Sequence, residues 1–337
     1  MSIQSTRRPG RPHPALSRRA LLAGTAAGAV GLSLAACGKG KKAGSQADSK
    51  TVTVVTHDSF HVSENLQKAF TSETGYTLKI ATSGDAGALV NKLVLTKDAP
   101  LGDAVFGIDN TYATRALDQG VIDTSATVTL PKGAESYVVA DTPALAPIDV
   151  GDVCLNIDTG YFTGKGLTPP ATFEDLTKPE YKGLLVAINP TNSSPGMAWL
   201  LATIGHFGAG SFAGYWKQLM ANGARIAEDW SAAYETDFSG SGKGTYPIVV
   251  SYASSPSFTV SKDKSSSSTS ALLDTAFRQV EYAGVLKGAA NPEGGKAFVT
   301  WMLSKAVQED IPGQMYMYPV LPDAALPEAL TKFGPLS

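Results

Sequence analysis

From Thr51 to Asn110 the chain alternates between β-branched runs and segments with a helical apolar stripe, and this alternation limits its fold more than any other feature. Thr51-Val52-Thr53-Val54-Val55-Thr56 has the composition of a buried strand. Ser63 then stands at the cap position of a segment whose apolar face is Leu66, Ala69 and Phe70, stopped by Gly75. A second strand, Thr77-Leu78-Lys79-Ile80, leads through Ser83-Gly84-Asp85 into a helix carrying Leu89, Val90 and Leu93. A third, Asp103-Ala104-Val105-Phe106-Gly107-Ile108, ends at Asp109-Asn110. Strand, helix, strand, helix, strand predicts an α/β lobe with a parallel sheet.

The middle of the chain repeats the scheme. Val150 to Ile157 and Leu184 to Ile188 read as strands, with a short threonine-capped helix over Thr172-Phe173-Glu174-Asp175-Leu176 between them. The second of these strands runs through Asn189-Pro190-Thr191-Asn192-Ser193-Ser194-Pro195-Gly196 into an apolar helix with Trp199, Leu200, Leu201 and Ile204. A serine cap followed by proline is the expected helix start. Its free N–H groups suit an anion or a polar ligand atom as well as plain capping. Pro247 to Ser251 is a further strand, followed directly by Tyr252. Residues 261–270, rich in serine and lysine, read as an exposed loop, and Tyr282 to Glu293 as the approach to a C-terminal helix over Gly295 to Leu303.

Ligands of open α/β sheets gather where strands end. His57-Asp58-Ser59, Gly84-Asp85 and Asp109-Asn110 occupy three such places in one lobe, so a shared cleft is expected there. Trp230 in an acid-flanked loop and Tyr252 at a strand end are the aromatic candidates, although either residue type serves core packing as readily.

The N-terminus reads as a leader, not as part of the fold. Arg18-Arg19 precedes Leu21-Leu22 and a charge-free Ala/Gly/Leu run that closes on Leu34-Ala35-Ala36-Cys37. The run is shorter than the roughly 20 residues of a spanning helix. Residues 1–36 therefore read as an export signal of twin-arginine type with a lipobox. Cys37 would be the first mature residue and carry lipid, and residues 37–50 would be a flexible tether. An ordinary secretory signal with an incidental cysteine is the alternative. The expected location is the extracytoplasmic face of the cell membrane.

Charge and cysteine count narrow the function. Eight of the 28 basic residues precede Asp48 and none of the 30 acidic ones does, so the folded part has 20 against 30, a net charge of −10. That balance argues against nucleic acid and suits a cationic ligand. With Cys37 lipidated, Cys154 stands alone in an apolar run, which leaves no intrachain disulfide and no cysteine metal site. His57 and His61 are four apart, but His57 belongs to a strand end, so no metal site is expected. Gly240-Ser241-Gly242-Lys243-Gly244-Thr245 fails as a phosphate loop because Gly244 follows the lysine. Neither a zinc-peptidase motif nor a nucleophile elbow occurs, so the chain is expected not to be an enzyme.

Five stretches carry a family resemblance: Thr56-His57-Asp58-Ser59-Phe60, Gly107-Ile108-Asp109-Asn110, Trp230-Ser231-Ala232-Ala233-Tyr234, Ser251-Tyr252-Ala253-Ser254-Ser255-Pro256 and Met317-Tyr318-Pro319-Val320. In order, from about residue 51 to 322, the chain resembles the thiamine-binding substrate-binding proteins of ABC transporters. The resemblance implies a two-lobed periplasmic-binding-protein fold with a ligand cleft between lobes joined by two crossovers. Lobe 1 would comprise residues 51–145 plus 271–337, and lobe 2 residues 146–270. The implied ligand contacts are Asp85, Ser193, Trp230 and Tyr252. His57, Asp58, Ser59, Asp109, Asn192, Tyr234, Phe258 and Tyr316 complete the candidate set. Three family aromatics differ here: a tyrosine becomes His57, another becomes Phe258 and a tryptophan becomes Tyr316; a fourth aromatic position carries Glu64.

The resemblance further implies a monomer that needs no cofactor, captures thiamine or its phosphates and delivers it to a permease with a cytoplasmic ATPase. Aromatic faces would hold the thiazolium cation. Asp85 would accept from the aminopyrimidine, and the helix start at Ser193-Ser194 would suit an ester phosphate. The alternatives are a binder of ferric iron, for which no Tyr-Tyr dipeptide occurs, a polyamine binder, or an exported hydrolase using Asp58 or Asp109 as base.

Overall fold

A computed structural model describes residues 50–337. The leader, Cys37 and nearly all of the tether lie outside the described residues. Among the described residues nine strands form one mixed sheet: β1 (Thr51–Thr56), β2 (Thr77–Thr82), β3 (Ala104–Asp109), β4 (Ala146–Asp158), β5 (Leu185–Ile188), β6 (Arg225–Ala227), β7 (Ile248–Tyr252), β8 (Thr269–Val285) and β9 (Tyr318–Pro319). Their order is β2-β1-β3-β8-β4-β7-β5-β6, with β9 on β4. β1 pairs in parallel with β2 and β3, as the alternating periods predict. β5 pairs in parallel with β6 and β7 in the same way.

The two parallel sets belong to two hydrophobic cores, which makes the molecule a two-lobed α/β protein. One core is built on Val54, Phe70, Leu89, Phe106, Ile108 and Phe298, the other on Leu155, Phe162, Val186, Trp199, Phe238 and Val249. The long antiparallel pair β4 and β8 runs through both. Val150 of β4 packs in the first core and Val153 in the second; Val280 of β8 packs in the first and Phe277 against the second.

Local chemistry explains most helix boundaries. Helix Glu64–Thr74 ends at Gly75, whose φ of 75° is left-handed and favours glycine. Its cap residue Ser63 does not cap with its side chain; the hydroxyl donates to Asp310 at 2.5 Å and ties the helix to Lys305–Gln314. Asp85 caps helix Ala86–Leu95 by accepting from the Ala86 N–H at 2.7 Å. Cys154 is buried, and burial pushes its thiol well up from the ordinary value, as befits a small packing residue.

One segment departs from the sequence expectation. Residues 282–285, read as part of the approach to a helix, close the 17-residue strand β8 instead, and the helix that follows runs Pro292–Met302. Gln279 and Glu281 sit buried where an apolar strand residue would be expected. Among the described residues no helix is long and apolar enough to cross a membrane.

Candidate functional site

A cavity of about 370 Å³ lies between the two cores. From the first lobe it is lined by His57, Asp58, Ser59, Asp85 and Glu281, and by the segment Gln314 to Met317. Opposite stand Ser194, Pro195, Trp230, Ser231, Glu235 and Tyr252. Four of these residues are carboxylates and none is a lysine or arginine, so the lining carries negative charge.

His57 leaves β1 and tucks against Phe106, ring centroids 5.4 Å apart. Gly107 makes the room: its φ is 97°, and a Cβ there would fall 2.0 Å from His57 Cδ2. The Ser59 N–H donates to His57 Nδ1 at 3.1 Å, which puts the proton of the neutral ring on Nε2. Nε2 faces Glu281 Oε1 at 3.3 Å. Burial lowers the affinity of the imidazole for a second proton, but Glu281, with Asp85 and Asp58, outweighs it, and the net pKa direction is up.

Asp58 and Asp85 lock two loops together. The Asp58 carboxylate accepts from the Gly84 N–H at 3.0 Å, and the Asp58 N–H returns a bond to the Gly84 carbonyl at 3.0 Å. Asp85 accepts from the Trp230 N–H at 3.3 Å, a bond from one lobe to the other. Burial pushes its carboxyl up, against the Ser193 hydroxyl, the Ala86 N–H, the His57 charge and the Trp230 N–H.

Trp230 opens the irregular turn that includes Ala232–Asp237. Its ring stacks on Tyr234 at 5.0 Å and 12°, and its indole N–H donates to Ser251 Oγ at 3.0 Å. Tyr234 is itself buried and lies behind Trp230 instead of on the cavity. Tyr252 ends β7, with its hydroxyl 3.4 Å from Gln279 Oε1 on β8. Tyr316 has a φ of 65°, rare outside glycine, and this backbone turn sets its ring against Phe258 at 3.4 Å.

Several candidates sit elsewhere than the sequence suggests. Asp109 is wholly buried beneath the cavity, held by Ser194, Thr111 and the Tyr112 N–H, and does not reach the surface. Ser193 is also wholly buried; its neighbour Ser194 lines the cavity. Asn192 turns outward to Glu228. Phe258 lines an adjoining hollow of about 430 Å³ that shares Trp230, Glu235 and Tyr316 with the main cavity. Glu64 is 87% exposed and pairs with Lys68, so it takes no part in the lining. Of the residues that sequence reasoning passed over, Glu281 matters most because it brings charge; Gln314, Met315 and Met317 border the site from the turn after a helix.

Residues 103–332 match the profile of the bacterial extracellular solute-binding proteins. Over 294 residues the chain is 28% identical to the thiamine-binding periplasmic proteins of Salmonella typhimurium LT2 and of Escherichia coli K12, covering 83% of this chain and 85% of either relative. Among solved structures it superposes on a periplasmic thiamin binding protein with a TM-score of 0.72 and 26% identity, covering 84% of this chain and 87% of that one. The fold is shared with the iron-bound HitA of Pseudomonas aeruginosa, at a TM-score of 0.65 and 20% identity, over 83% of this chain and 89% of that one. Two lobes, a cavity between them and a profile spanning most of the folded chain lead to one conclusion: the chain belongs to the bacterial extracellular solute-binding protein family.

Proposed function

We propose that this protein captures thiamine or its phosphate esters outside the cytoplasm and delivers it to an ABC importer, without making or breaking a bond. The observation that carries this reading is the lining of the cavity. Trp230, Tyr252 and Tyr316 offer aromatic faces beside Asp58, Asp85, Glu235 and Glu281, with no lysine or arginine in the lining. A thiazolium ring carries a permanent positive charge, and each good aromatic contact contributes ~0.5–2 kcal/mol to holding it. Asp85 would accept from the aminopyrimidine. The similarity to thiamine-binding periplasmic proteins over four-fifths of the chain points the same way.

β4 and β8 connect the lobes and would act as the hinge on which they close. The permease would then recognise the closed form. Cys37, lipidated, would hold a monomeric protein at the membrane through the tether.

Calorimetry with thiamine, its monophosphate and diphosphate, spermidine and ferric iron tests the reading. Thiamine binding with quenching or enhancement of tryptophan fluorescence is expected. Heat for spermidine or iron, with none for thiamine or its phosphates, would reject it.

A further inference from the structure

We propose that Glu281 is the residue that selects for positive charge in this cavity, set beside His57 and flanked in its row by two buried carboxyls, Asp149 and Asp109. The inference rests on the thiamine reading and adds the group that discriminates a cationic from a neutral ligand.

Three acids stand in one row across the sheet. Glu281 on β8 is the register partner of Asp109 on β3 and of Asp149 on β4. Partners in a row project to the same face, so the three carboxyls are neighbours. Asp109 and Asp149 are fully buried, whereas Glu281 lines the cavity. Neither oxygen of Asp149 meets a hydrogen-bond donor, and the group it faces is Glu281.

Adjacent buried carboxyls cannot all be ionised. Asp149, lacking both solvent and a donor, holds a proton, and burial followed by the Glu281 charge pushes its pKa well above the usual range. Burial likewise raises Asp109, to about 7. Of the three, only the central member borders the cavity, so Glu281 is the carboxyl that a bound cation would meet. His57 presents its Nε2 to the same carboxylate at 3.3 Å. Glu281 is itself almost wholly buried, so a cation in the cavity meets a carboxylate with little freedom left to lose on binding.

The test uses the folded protein with two fluorescence-accessible probes: thiamine, and thiochrome, its uncharged tricyclic oxidation product. Glu281→Gln keeps size and removes charge. It should weaken thiamine binding roughly tenfold and leave thiochrome binding within about twofold. Asp149→Asn replaces a protonated acid by its neutral isostere and should change neither affinity by more than about twofold. Equal losses for both probes in Glu281→Gln would show packing instead of charge selection and overturn the inference. So would thiamine affinity that survives Glu281→Gln but falls in Asp149→Asn, since the charge would then belong to Asp149. Either result leaves the thiamine reading standing. Wild-type protein that binds neither probe would remove that reading and this inference with it.

Discussion

The carboxylate of Asp85 accepts a hydrogen bond from the backbone N–H of Trp230 across the cavity, at 3.3 Å, joining residues 145 positions apart. The same carboxylate caps helix Ala86–Leu95. One side chain thus orders a helix start in the first lobe, holds the aromatic segment of the second, and borders the space between them. Its two backbone bonds use different oxygens, Oδ1 for Ala86 and Oδ2 for Trp230, and an amide supplies only one acceptor oxygen.

Asp85→Asn is therefore expected to retain the shorter bond, the cap on Ala86, and to lose the bond to Trp230 together with the charge. Thiamine carries a donor amino group on its pyrimidine, and oxythiamine carries an oxygen there. Wild-type protein should prefer thiamine, and Asp85→Asn should shrink that preference several-fold, by about 1–2 kcal/mol. Side-by-side titration of the two compounds checks this. An unchanged preference would mean that Asp85 organises the loops without touching the pyrimidine.

Trp230 has two duties, and its truncation should show both. Its ring borders the cavity, but it also stacks on buried Tyr234 and bonds Ser251, so it is not a free cleft side chain. Trp230→Ala should cost about 1–3 kcal/mol of thiamine affinity, as for an aromatic anchor. Apo stability should fall by ~1–3 kcal/mol, less than the full cost of a core tryptophan. Trp230→Phe should recover much of both. Denaturant melts and calorimetry on the same preparations separate the two effects; lost stability with unaltered affinity would make Trp230 a packing residue only.

Gly107 is required by His57. A methyl group at that position would overlap the imidazole at 2.0 Å, on a backbone with a φ of 97°. Gly107→Ala should lower stability by about 2–4 kcal/mol and displace the ring from Glu281. A variant that melts like the wild type and keeps the His57 imidazole resonances unshifted in NMR would contradict that packing.

The first lobe was legible because Val52, Val54, Val55, Phe70, Leu89 and Phe106 obey simple periods, and those periods put His57, Asp58, Ser59 and Asp85 at strand ends. β8 was not legible for a physical reason. Its inward positions include Gln279 and Glu281, polar groups held by Tyr252, His57 and neighbouring carboxyls that are remote in sequence. Polar residues inside a strand erase the alternation that marks one, and the residue most closely tied to charge in the cavity disappeared with it. Asp109 failed in the opposite sense. Its place at a strand end was read correctly, but the hydroxyls of Thr111 and Ser194 fold over it and take its oxygens. Sequence spacing gives no sign of such long-range partners.

The proposed anchoring through Cys37 rests on the leader sequence alone. Cys37→Ala should leave the protein unlabelled by a fatty-acid probe and released from the membrane fraction. Continued labelling would overturn the lipobox reading and leave the binding site unaffected.

Stability and affinity should move oppositely with pH. His57 has a pKa raised above 6.5, so its contribution to folding is complete below that value and is lost as pH rises through the folded pKa. Asp109, raised from 3.8 to about 7, stays protonated in the folded protein over a range where the unfolded chain is ionised. Stability therefore falls as pH climbs from 3.8 towards 7 through this group as well. Asp149 acts in the same direction. The apo protein should accordingly lose about 2–4 kcal/mol between mildly acid and mildly alkaline solution. Asp109→Asn should flatten the slope. Binding of a permanent cation follows the reverse course, because a protonated His57 places positive charge at the cavity, 3.3 Å from Glu281. Thiamine affinity should rise as pH increases through the His57 pKa, while His57→Gln should show a smaller pH dependence, because Asp109 beneath the cavity still titrates at about 7. Melts and titrations at matched ionic strength measure both quantities. An apo stability that climbs with pH, or a thiamine affinity that weakens with it, would show that the buried acids and His57 are not protonated as their surroundings require.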